Sequence, residues 1–502
     1  MAHPTDDILA EMHAPSAEDR EVIRRAYDFA ETAHGDEKRK SGEPYIIHPH
    51  AIAKYLASIG MDRDTVVAGI LHDTTEDTET TIEEIEERFG TTIRFLVESL
   101  TKLSRLRYRG LERHVESLRH LLVATASDIR VIIIKMADRL HNMQTIEYVT
   151  PKEKRERIAQ DTMEVYVPIA ERLGMGNIKA DLEDLSFGVL DQAHYREVTA
   201  TIAEKKKEVG DRLEEDIKDL KRRFAENNLR SFRTEYRLKG VRSFWRKAEK
   251  KYQRDLAQVH DLFALRVIVK NVEECYRALG IIHGLWRPIP GKVKDYIAFH
   301  KPNGYRSIHT TVITHRGVTV EIQIRTEDMH LNAQYGVASH FGYKNKIKTG
   351  QTTLTWLQSL MPSLKKNGLP KTNGAPPRWL DELSKIEQEN PEYKTFEDIL
   401  RKDFFAERIF AFTPHGDVID LPVDATPVDF AYSIHSDIGD RMNGAKVNGK
   451  LVSLDTSLHN GDMVEILTKK GGHPNKKWLA MAKTASAKTH IRGALRKRGE
   501  IQ

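Results

Sequence analysis

The sequence predicts a multidomain protein: an all-α domain, then an α/β domain with a mixed sheet, then a small α+β module. A length of 502 residues exceeds what one hydrophobic core supports. Apolar residues recur with a helical period up to about residue 175, and strand-like alternation begins after about residue 260. The predicted segments are 1–175 (all-α), 176–230 (helical connector), 231–345 (α/β), 346–405 (linker and helices), 406–468 (α+β) and 469–502 (start of a basic helical region).

Two apolar patterns predict helices in the first domain, one over Val66–Asp73 and one over Asp128–Asn142. Helical spacing would place Asp73 and Asp77 on one face and His72 and Glu76 on a neighbouring face. The chemistry of this domain depends on which side chains these helices bring together.

The first domain contains four candidate metal ligands on separate segments: His48, His72, Asp73 and Asp138. Mixed imidazole and carboxylate ligands suit a hydrolytic divalent metal, whose bound water is a nucleophile at neutral pH. The alternative is a structural polar core. We favour the metal hydrolase because four such residues are harder to dismiss than a single histidine.

Other polar residues of this domain suggest roles around such a metal. Glu76 and Asp77 follow the ligands by one turn, where a carboxylate can orient or deprotonate a metal-bound water. Arg39 and Lys40, just before Ser41, are suited to holding a phosphate.

In the α/β domain, Asp261–Val269 reads as a buried strand, and Tyr305–Ile313 and Val318–Arg325 read as alternating strands. The last strand directs Ile322 and Ile324 to one face. Its other face carries Glu321, Gln323 and Arg325. Three polar groups on one face favour a site, although a solvent-facing strand surface remains an alternative.

Asp261 and Glu321 lie on strands expected to be neighbours, and two such carboxylates commonly hold Mg²⁺ against nucleotide phosphates. Between them the chain is rich in groups that bind phosphate, and Tyr305 is suited to stacking on a base. An ordinary charged loop and core packing are the alternatives for these residues. Because the chain has no Walker-type Gly-x₄-Gly-Lys-Ser/Thr motif, a P-loop kinase is disfavoured.

The C-terminal part alternates strands with tight turns, and the pairs Asn448-Gly449 and Asn460-Gly461 predict reversals. From Lys469 to Gln502 there are ten Lys and Arg residues and a single acid, Glu500. Such a tail suggests nucleic acid, and a solvated helical surface explains it equally well.

Composition excludes several classes of protein. The chain has no apolar run of the ~18 residues needed to span a bilayer, and its first residues lack the apolar core of a signal peptide. One cysteine, Cys275, excludes an internal disulfide and a cysteine-rich zinc site. We therefore expect a cytoplasmic protein without membrane partners.

These motifs resemble those of the long RelA/SpoT homologues, bifunctional synthetase/hydrolases of the alarmone (p)ppGpp. The runs 39–49, 71–78 and 135–143 look like the HD hydrolase domain. The resemblance implies Mn²⁺ on the four candidate ligands and water activation by Glu76 and Asp77. It also implies substrate contacts from Arg39, Lys40, Ser41 and Asn142.

The runs 261–266, 295–298, 301–309 and 321–326 look like the nucleotidyltransferase-like synthetase domain of that family. The resemblance implies Mg²⁺ on Asp261 and Glu321, with Glu321 or Gln323 positioning or deprotonating the ribose 3′-hydroxyl. It implies ATP contacts from Arg237, Lys239, Arg246 and Lys247. It implies GTP or GDP contacts from Lys294, Lys301, Asn303, Tyr305 and His309, with Tyr305 stacked on guanine.

Residues 408–468 look like a TGS domain, with Ala431–His435 matching its characteristic helix. The resemblance makes His435 a candidate contact for the 3′ end of uncharged tRNA on the ribosome. The chain departs from the family pattern in three places. Gly240 replaces a usual histidine, and Lys292 replaces the usual arginine of the Arg-x-Lys-Asp loop. The usual Ala-Glu-x-Gly-x-Ala-Ala-His-Trp reads Ala333-Gln-Tyr-Gly-Val-Ala-Ser-His-Phe341.

The resemblance implies a bifunctional enzyme of the stringent response, which adds pyrophosphate from ATP to GTP or GDP and also removes it. Because the two reactions together would waste ATP, we expect a conformational switch through the helices at about 176–230. A predominantly hydrolytic enzyme with weak synthetase activity and a ribosome- or tRNA-binding stress sensor are the alternatives. The sequence leaves the oligomeric state open.

Overall fold

A computed structural model describes residues 3–104, 128–259, 263–299, 301, 304–339, 408–469 and 471–500. The chain divides into two compact units. The first comprises Met1–Ser104 and Arg130–Ile347, and the second comprises Arg105–Ile129 and Lys348–Gln502. Across the described ranges, every helix is too short or too polar to cross a membrane.

The N-terminal part of the first unit is helical, as predicted. Its helices begin at recognisable caps: Ser16 and Asp19 form a capping box, and Asp62 accepts from the backbone N–H of Thr65. Their apolar faces bury Ile23, Ile52 and Ile70 completely. The helices are Asp6–Glu11, Ala17–His34, Ile47–Ser58, Arg63–Leu71, Thr74–Asp77, Ile82–Phe89, Thr91–Ser104, Ile129–Gln144, Lys152–Asp161 and Val167–Arg172, with a π-helical turn at Thr162–Tyr166.

The predicted helix over Val66–Asp73 is wrong at its end, because the helix stops at Leu71 and a short helix begins at Thr74. The Oγ1 of Thr74 donates to the carbonyl of Leu71 (2.7 Å), and the Nδ1 of His72 contacts the carbonyl of Gly69 (3.0 Å). These side-chain bonds take over carbonyls that a continuous helix would use. His72 and Asp73 therefore lie at a break in the helix.

Two further helices, Gly176–Leu190 and Gln192–Glu226, lie where the sequence predicts a helical connector. A mixed sheet follows, with strands Phe232–Leu238 (β1), Phe263–Val269 (β2), Arg287–Pro288 (β3), Lys294–Asp295 (β4), Ile308–Ile313 (β5) and Thr319–Thr326 (β6). Its strand order is β1-β2-β6-β5-β3, and β4 pairs with β5. Among these described strands β2 and β6 are parallel, and the other neighbours are antiparallel. Helices Val241–Lys251, Val272–Leu285 and Glu327–Tyr335 lie between or after the strands.

The register of the sheet separates an apolar face from a polar one. Leu265 pairs with Ile322 and Val267 with Ile324, and all four side chains are buried. On the opposite face Arg266 pairs with Gln323, which in turn pairs with His309 on β5. The predicted alternation of β6 is therefore present, and its polar side chains belong to a wider polar face of the sheet.

The described part of the second unit contains strands Arg408–Phe412 (β7), Val418–Pro422 (β8), Met442–Val447 (β9), Lys450–Val452 (β10) and Val464–Thr468 (β11). Strands β10, β9 and β11 form one antiparallel sheet, and β7 pairs with β8. Asn448 and Gly449 both have positive φ angles (51° and 80°), as a tight reversal between β9 and β10 requires. The predicted linker and helices at 346–405 lie outside the described residues.

The helices of this unit are Pro427–Ile434, Ser436–Asp440, Trp478–Met481 and Ala485–Lys497. Ile491 and Leu495 of the last helix pack with Ala431 and Tyr432 in one buried cluster. Part of the basic tail therefore belongs to the packing of the module.

Candidate functional site

The side chains of two histidines and two aspartates of the helical domain lie close together, and these are the four candidate metal ligands named from the sequence. The Nε2 of His48 lies 3.5 Å from Oδ2 of Asp73 and 3.3 Å from Oδ1 of Asp138. The Nε2 of His72 lies 3.1 Å from Oδ2 of Asp73. Side-chain atoms of His48, His72 and Asp138 come close enough together to hold one metal ion, and all three residues are buried.

The outer nitrogens of both histidines are already engaged. Nδ1 of His72 contacts the carbonyl of Gly69 at 3.0 Å, and Nδ1 of His48 contacts Nδ1 of His141 at 2.8 Å. Such contacts orient an imidazole and leave Nε2 for a metal. Nε2 of His72 is buried and faces the Asp73 carboxylate at 3.1 Å, but in the described part of the chain it makes no contact with hydrogen-bond geometry, so it is placed to be a metal ligand.

The charged groups of this cluster shift one another's pKa values. Burial alone would raise the pKa of Asp138, but the ammonium of Lys135 (Nζ to Oδ2, 2.7 Å) and the two histidines hold that pKa well below its usual range. Burial also opposes protonation of His72, yet the charge of Asp73 outweighs it and raises the pKa of His72 to about 8. The cluster therefore keeps its carboxylates ionised and attracts a positive charge.

Tyr45 is a member of this site that the sequence reasoning missed. Its hydroxyl lies 2.8 Å from Oδ2 of Asp73 and 2.9 Å from Oδ2 of Asp77, so it bridges a candidate ligand and a candidate base. Its ring stacks on His34 at 4.4 Å. Nothing in the spacing of the sequence links position 45 to positions 73 and 77, because the contact is made by folding.

A cavity of about 530 Å³ opens beside the cluster. It is lined by all four residues predicted to contact substrate, Arg39, Lys40, Ser41 and Asn142. Arg39 donates to Oδ1 of Asn142 (3.0 Å), and Asn142 in turn donates to Asp138. Burial and the neighbouring Lys154 lower the pKa of Lys40. The wall opposite the carboxylates is therefore basic and suited to phosphate.

The two predicted water-activating acids are placed differently. Asp77 is exposed as a whole and lines a second cavity of about 1130 Å³. Partial desolvation of its carboxyl by the surrounding residues, together with the negative charge of Asp73, raises the pKa of Asp77. Glu76 is half-buried in the same short helix. Asp77 is the better supported of the two, because Tyr45 joins it to Asp73.

The second candidate site lies on the polar face of the mixed sheet. Nδ1 of His309 lies 3.3 Å from Oε1 of Glu321, and Gln323 donates to the same oxygen at 2.9 Å. The contact with His309 is the main cause that lowers the pKa of Glu321 to about 2. The hydroxyl of Tyr305 lies 2.7 Å from Nε2 of His309, and Lys301 lies over the Tyr305 ring at 5.5 Å.

Buried guanidinium groups lie on the same face. The sequence analysis places Arg325 on this face, but it predicts no binding role for Arg325 or Arg266. Arg325 is 1% exposed and Arg266 is 8% exposed. Within the described ranges, Nε and Nη2 of Arg325 and Nε of Arg266 have no hydrogen-bond partner. Burial, helped by Arg325 and Arg237, lowers the pKa of Arg266 to about 10. Buried donors without partners indicate a site for an anion.

The remaining described residues predicted for this site lie on or beside three elements. Arg237 and Lys239 lie on and just after β1, and Arg246 and Lys247 lie on helix Val241–Lys251. Lys294 lies on β4 opposite His309. Asp261 and Asn303 lie outside the described residues, so the pairing of Asp261 with Glu321 stays a prediction.

His435 ends the predicted helix of the small module, where it follows Ile434 and caps the next helix. Its Nδ1 accepts from the backbone N–H of Asp437 (3.2 Å), and 49% of its side chain is exposed. The histidine is therefore accessible to a partner.

Three family models match the chain in order. Residues 26–176 match an HD domain, residues 236–348 match the region found in RelA/SpoT proteins, and residues 409–468 match a TGS domain. The chain therefore carries matches to an HD domain, a RelA/SpoT region and a TGS domain in this order.

Relatives extend along nearly the whole sequence. The chain is 43% identical to a guanosine-3′,5′-bis(diphosphate) 3′-pyrophosphohydrolase of Aquifex aeolicus over 95% of its length and 65% of the relative. It is 40% identical to a GTP pyrophosphokinase of Myxococcus xanthus (98% and 63%). It is 39% identical to the bifunctional (p)ppGpp synthase/hydrolase SpoT of Escherichia coli (94% and 64%).

The three matched regions and these relatives together support placing the chain with the long RelA/SpoT family. It spans less than two thirds of the length of the curated relatives it matches, from 63% to 65% for the three above. A solved small alarmone synthetase of Bacillus subtilis is 24% identical over 39% of this chain and 98% of its own, at a TM-score of 0.23, which is too low to add to the assignment.

Proposed function

We propose that the chain is a bifunctional alarmone enzyme, which hydrolyses (p)ppGpp in the helical domain and synthesises it on the mixed sheet. The observation that carries the proposal is the convergence of His48, His72, Asp73 and Asp138 beside a cavity with a basic wall. Relatives named for each of the two reactions, and for both together, support it.

In the hydrolase half, Arg39, Lys40, Ser41 and Asn142 bind the nucleotide phosphates and ribose from the basic wall of the cavity. Water adds to the phosphorus attached to the ribose 3′ oxygen, and that P–O bond breaks. The products are pyrophosphate and GDP or GTP, with a proton on the 3′ oxygen. Asp77, held by Tyr45, accepts the proton that the water loses, and Glu76 assists it.

The residues of the cluster fit a divalent cation, because two Nε2 atoms and two ionised carboxylates face each other. In addition, Nε2 of His72 is buried and makes no hydrogen bond within the described residues. We assign Mn²⁺, with His48, His72, Asp73 and Asp138 as its ligands. When bound, the ion supplies Lewis acidity at the phosphate and lowers the pKa of water. Tyr45, His141 and Gly69 orient the ligands.

In the synthetase half, the 3′-hydroxyl of GDP or GTP attacks the β-phosphorus of ATP, and AMP leaves. Glu321, held by His309 and Gln323, orients or deprotonates that hydroxyl. With Asp261 it provides the carboxylates for Mg²⁺, which neutralises phosphate charge when bound.

The polar face of the sheet supplies the nucleotide contacts. Arg237, Lys239, Arg246 and Lys247 contact ATP. Arg266 and Arg325 join them, because an incoming phosphate gives their buried N–H donors partners. The other nucleotide, GDP or GTP, is held by a stacking contact with Tyr305 and by the polar groups Lys294, Lys301, Asn303 and His309.

The TGS domain supports a further proposal, that the chain meets uncharged tRNA on the ribosome through this module. The exposed His435 is the candidate contact. Co-sedimentation with ribosomes carrying uncharged tRNA tests it, and His435→Ala should reduce the bound fraction while both enzymatic rates stay unchanged. Equal binding by wild type and variant would remove His435 from the interface.

Both reactions are measured separately on the same preparations of wild type, His72→Ala and Glu321→Gln. We expect His72→Ala to lose pyrophosphate release from ppGpp with Mn²⁺ and to keep synthesis from ATP and GDP with Mg²⁺. Glu321→Gln should lose synthesis from ATP and GDP and keep pyrophosphate release from ppGpp. Retained hydrolysis in His72→Ala would contradict the metal assignment. If the wild type made no product from ATP and GDP, the synthetase assignment would be wrong and the hydrolase assignment would stand by itself.

A further inference from the structure

Helix Val241–Lys251 carries Arg246 and Lys247 but has no side-chain cap of its own, because its N-cap residue is Gly240. Its first N–H groups are capped by a residue from an earlier helix, Gly176–Leu190. Oδ2 of Asp184 accepts from the backbone N–H of Val241 (3.1 Å), and Oδ1 accepts from that of Arg242 (2.8 Å). A carboxylate at this position also interacts favourably with the helix dipole.

Gly240 provides the space that this contact needs. A Cβ added at position 240 would lie 2.9 Å from Oδ2 and 3.2 Å from Oδ1 of Asp184. The backbone of Gly240 has φ −59°, which any residue can adopt. The close approach of the Asp184 carboxylate is therefore what a side chain at position 240 would disturb.

The neighbouring acid holds the same helix by a side chain. Glu183 is 5% exposed, and its Oε1 lies 3.4 Å from Nη1 of Arg246 and 3.5 Å from Nζ of Lys179. Helix Gly176–Leu190 thus fixes both the backbone start of helix Val241–Lys251 and the guanidinium of Arg246.

We propose that Asp184 is a positioning residue for the ATP site. It sets where helix Val241–Lys251 begins relative to helix Gly176–Leu190, and so where Arg246 and Lys247 stand, without itself touching nucleotide. The inference rests on the proposed synthetase function. A misplacement of positioning groups by about 1 Å can cost ~10²-fold in catalysis, so loss of this cap should weaken ATP use selectively.

The test compares Asp184→Ala with the double variant Asp184→Ala/Gly240→Ser, whose new hydroxyl caps the helix locally. Steady-state synthesis gives KM for ATP and for GDP, and pyrophosphate release from ppGpp reports a folded helical domain. Asn271→Ala is the matched control, because Asn271 caps a different helix, Val272–Leu285, through the backbone N–H of Glu274 (2.9 Å). If Asp184→Ala does not fold, Asp184→Asn retains one acceptor oxygen and should raise KM for ATP by a smaller factor.

We expect Asp184→Ala to raise KM for ATP by about tenfold or more, with KM for GDP and the hydrolysis rate unchanged. The double variant should keep the raised KM, because a local cap does not restore the connection to helix Gly176–Leu190. Recovery of the wild-type KM in the double variant, or an unchanged KM in Asp184→Ala, overturns the inference while synthesis by wild type stands. A wild type that makes no product overturns the synthetase assignment and the inference together.

Discussion

The helical site and the sheet site differ in the kind of buried atom that has no hydrogen bond among the described residues. In the helical site, carboxylates and Nε2 atoms face one another. One buried atom there that makes no hydrogen bond is Nε2 of His72, a nitrogen that can bind a cation. On the sheet, the comparable atoms are N–H donors of Arg266 and Arg325. The first pattern is completed by a cation and the second by an anion, so the two sites are distinguished by charge before any ligand is considered.

The largest expected effect removes the cation site alone. Substituting His72→Ala deletes one of the two converging Nε2 atoms, and we expect hydrolysis of ppGpp to fall by at least about 10³-fold, as for residues that act as one catalytic unit. Synthesis should change less than about twofold. Pyrophosphate release with Mn²⁺ measures the first rate, and AMP formation from ATP and GDP measures the second. Equal losses of both rates would contradict separate sites.

The matching change on the sheet is Glu321→Gln, which keeps the size of the side chain and removes its charge. We expect synthesis to fall by about 10²- to 10⁴-fold, the range for loss of a general base. Hydrolysis by the same preparation is the control and should be unchanged. A variant that synthesises at the wild-type rate would exclude Glu321 from the reaction.

Tyr45→Phe removes the hydroxyl that contacts Asp73 and Asp77 and leaves the ring on His34. Losing a group that orients metal ligands typically costs about 10- to 100-fold in metal affinity or activity. The Mn²⁺ concentration that gives half-maximal hydrolysis should therefore rise. An unchanged Mn²⁺ dependence with an unchanged rate would mean that the hydroxyl does not orient these carboxylates.

The smallest effect concerns the buried guanidinium of Arg325, whose Nε and Nη2 have no hydrogen-bond partner among the described residues. Arg325→Met should raise KM for the nucleotides by about tenfold, because a charge-assisted contact is lost. The unfolding temperature without ligand should not fall, since the substitution removes a buried charged group with two unsatisfied nitrogens.

Arg316→Met is the contrasting control, because Arg316 is paired with Glu215, Asp216 and Asp219 at 2.7 to 2.8 Å. It should lower the unfolding temperature and leave both KM values unchanged. If Arg325→Met instead lowered the unfolding temperature and left KM unchanged, while Arg316→Met raised KM and left the unfolding temperature unchanged, Arg325 would serve folding and not nucleotide binding.

The sequence predicted the parts of each site that follow from local pattern. The four candidate ligands of the helical site and the polar face of β6 could be picked out because motif residues and strand alternation are visible along the chain. The break at His72 was missed, because it depends on side-chain bonds to Gly69 and Leu71 that compete with a good helical pattern.

Contacts made by the tertiary fold could not be predicted from spacing. Tyr45 reaches Asp73 and Asp77 from the turn before helix Ile47–Ser58, and Asp184 caps a helix that begins 57 residues later. Arg266 and Arg325 were read as parts of motifs, but their burial without partners emerges only when β2 and β6 are paired. In each case the missing information was which segments of the chain become neighbours.

Anomalous scattering at the manganese edge, from crystals of the full chain grown with Mn²⁺, tests the central claim most directly. The account predicts one strong peak within bonding distance of Nε2 of His48, Nε2 of His72 and the carboxylates of Asp73 and Asp138. No peak at that point, with the imidazoles packed as they are without the ion, would contradict it.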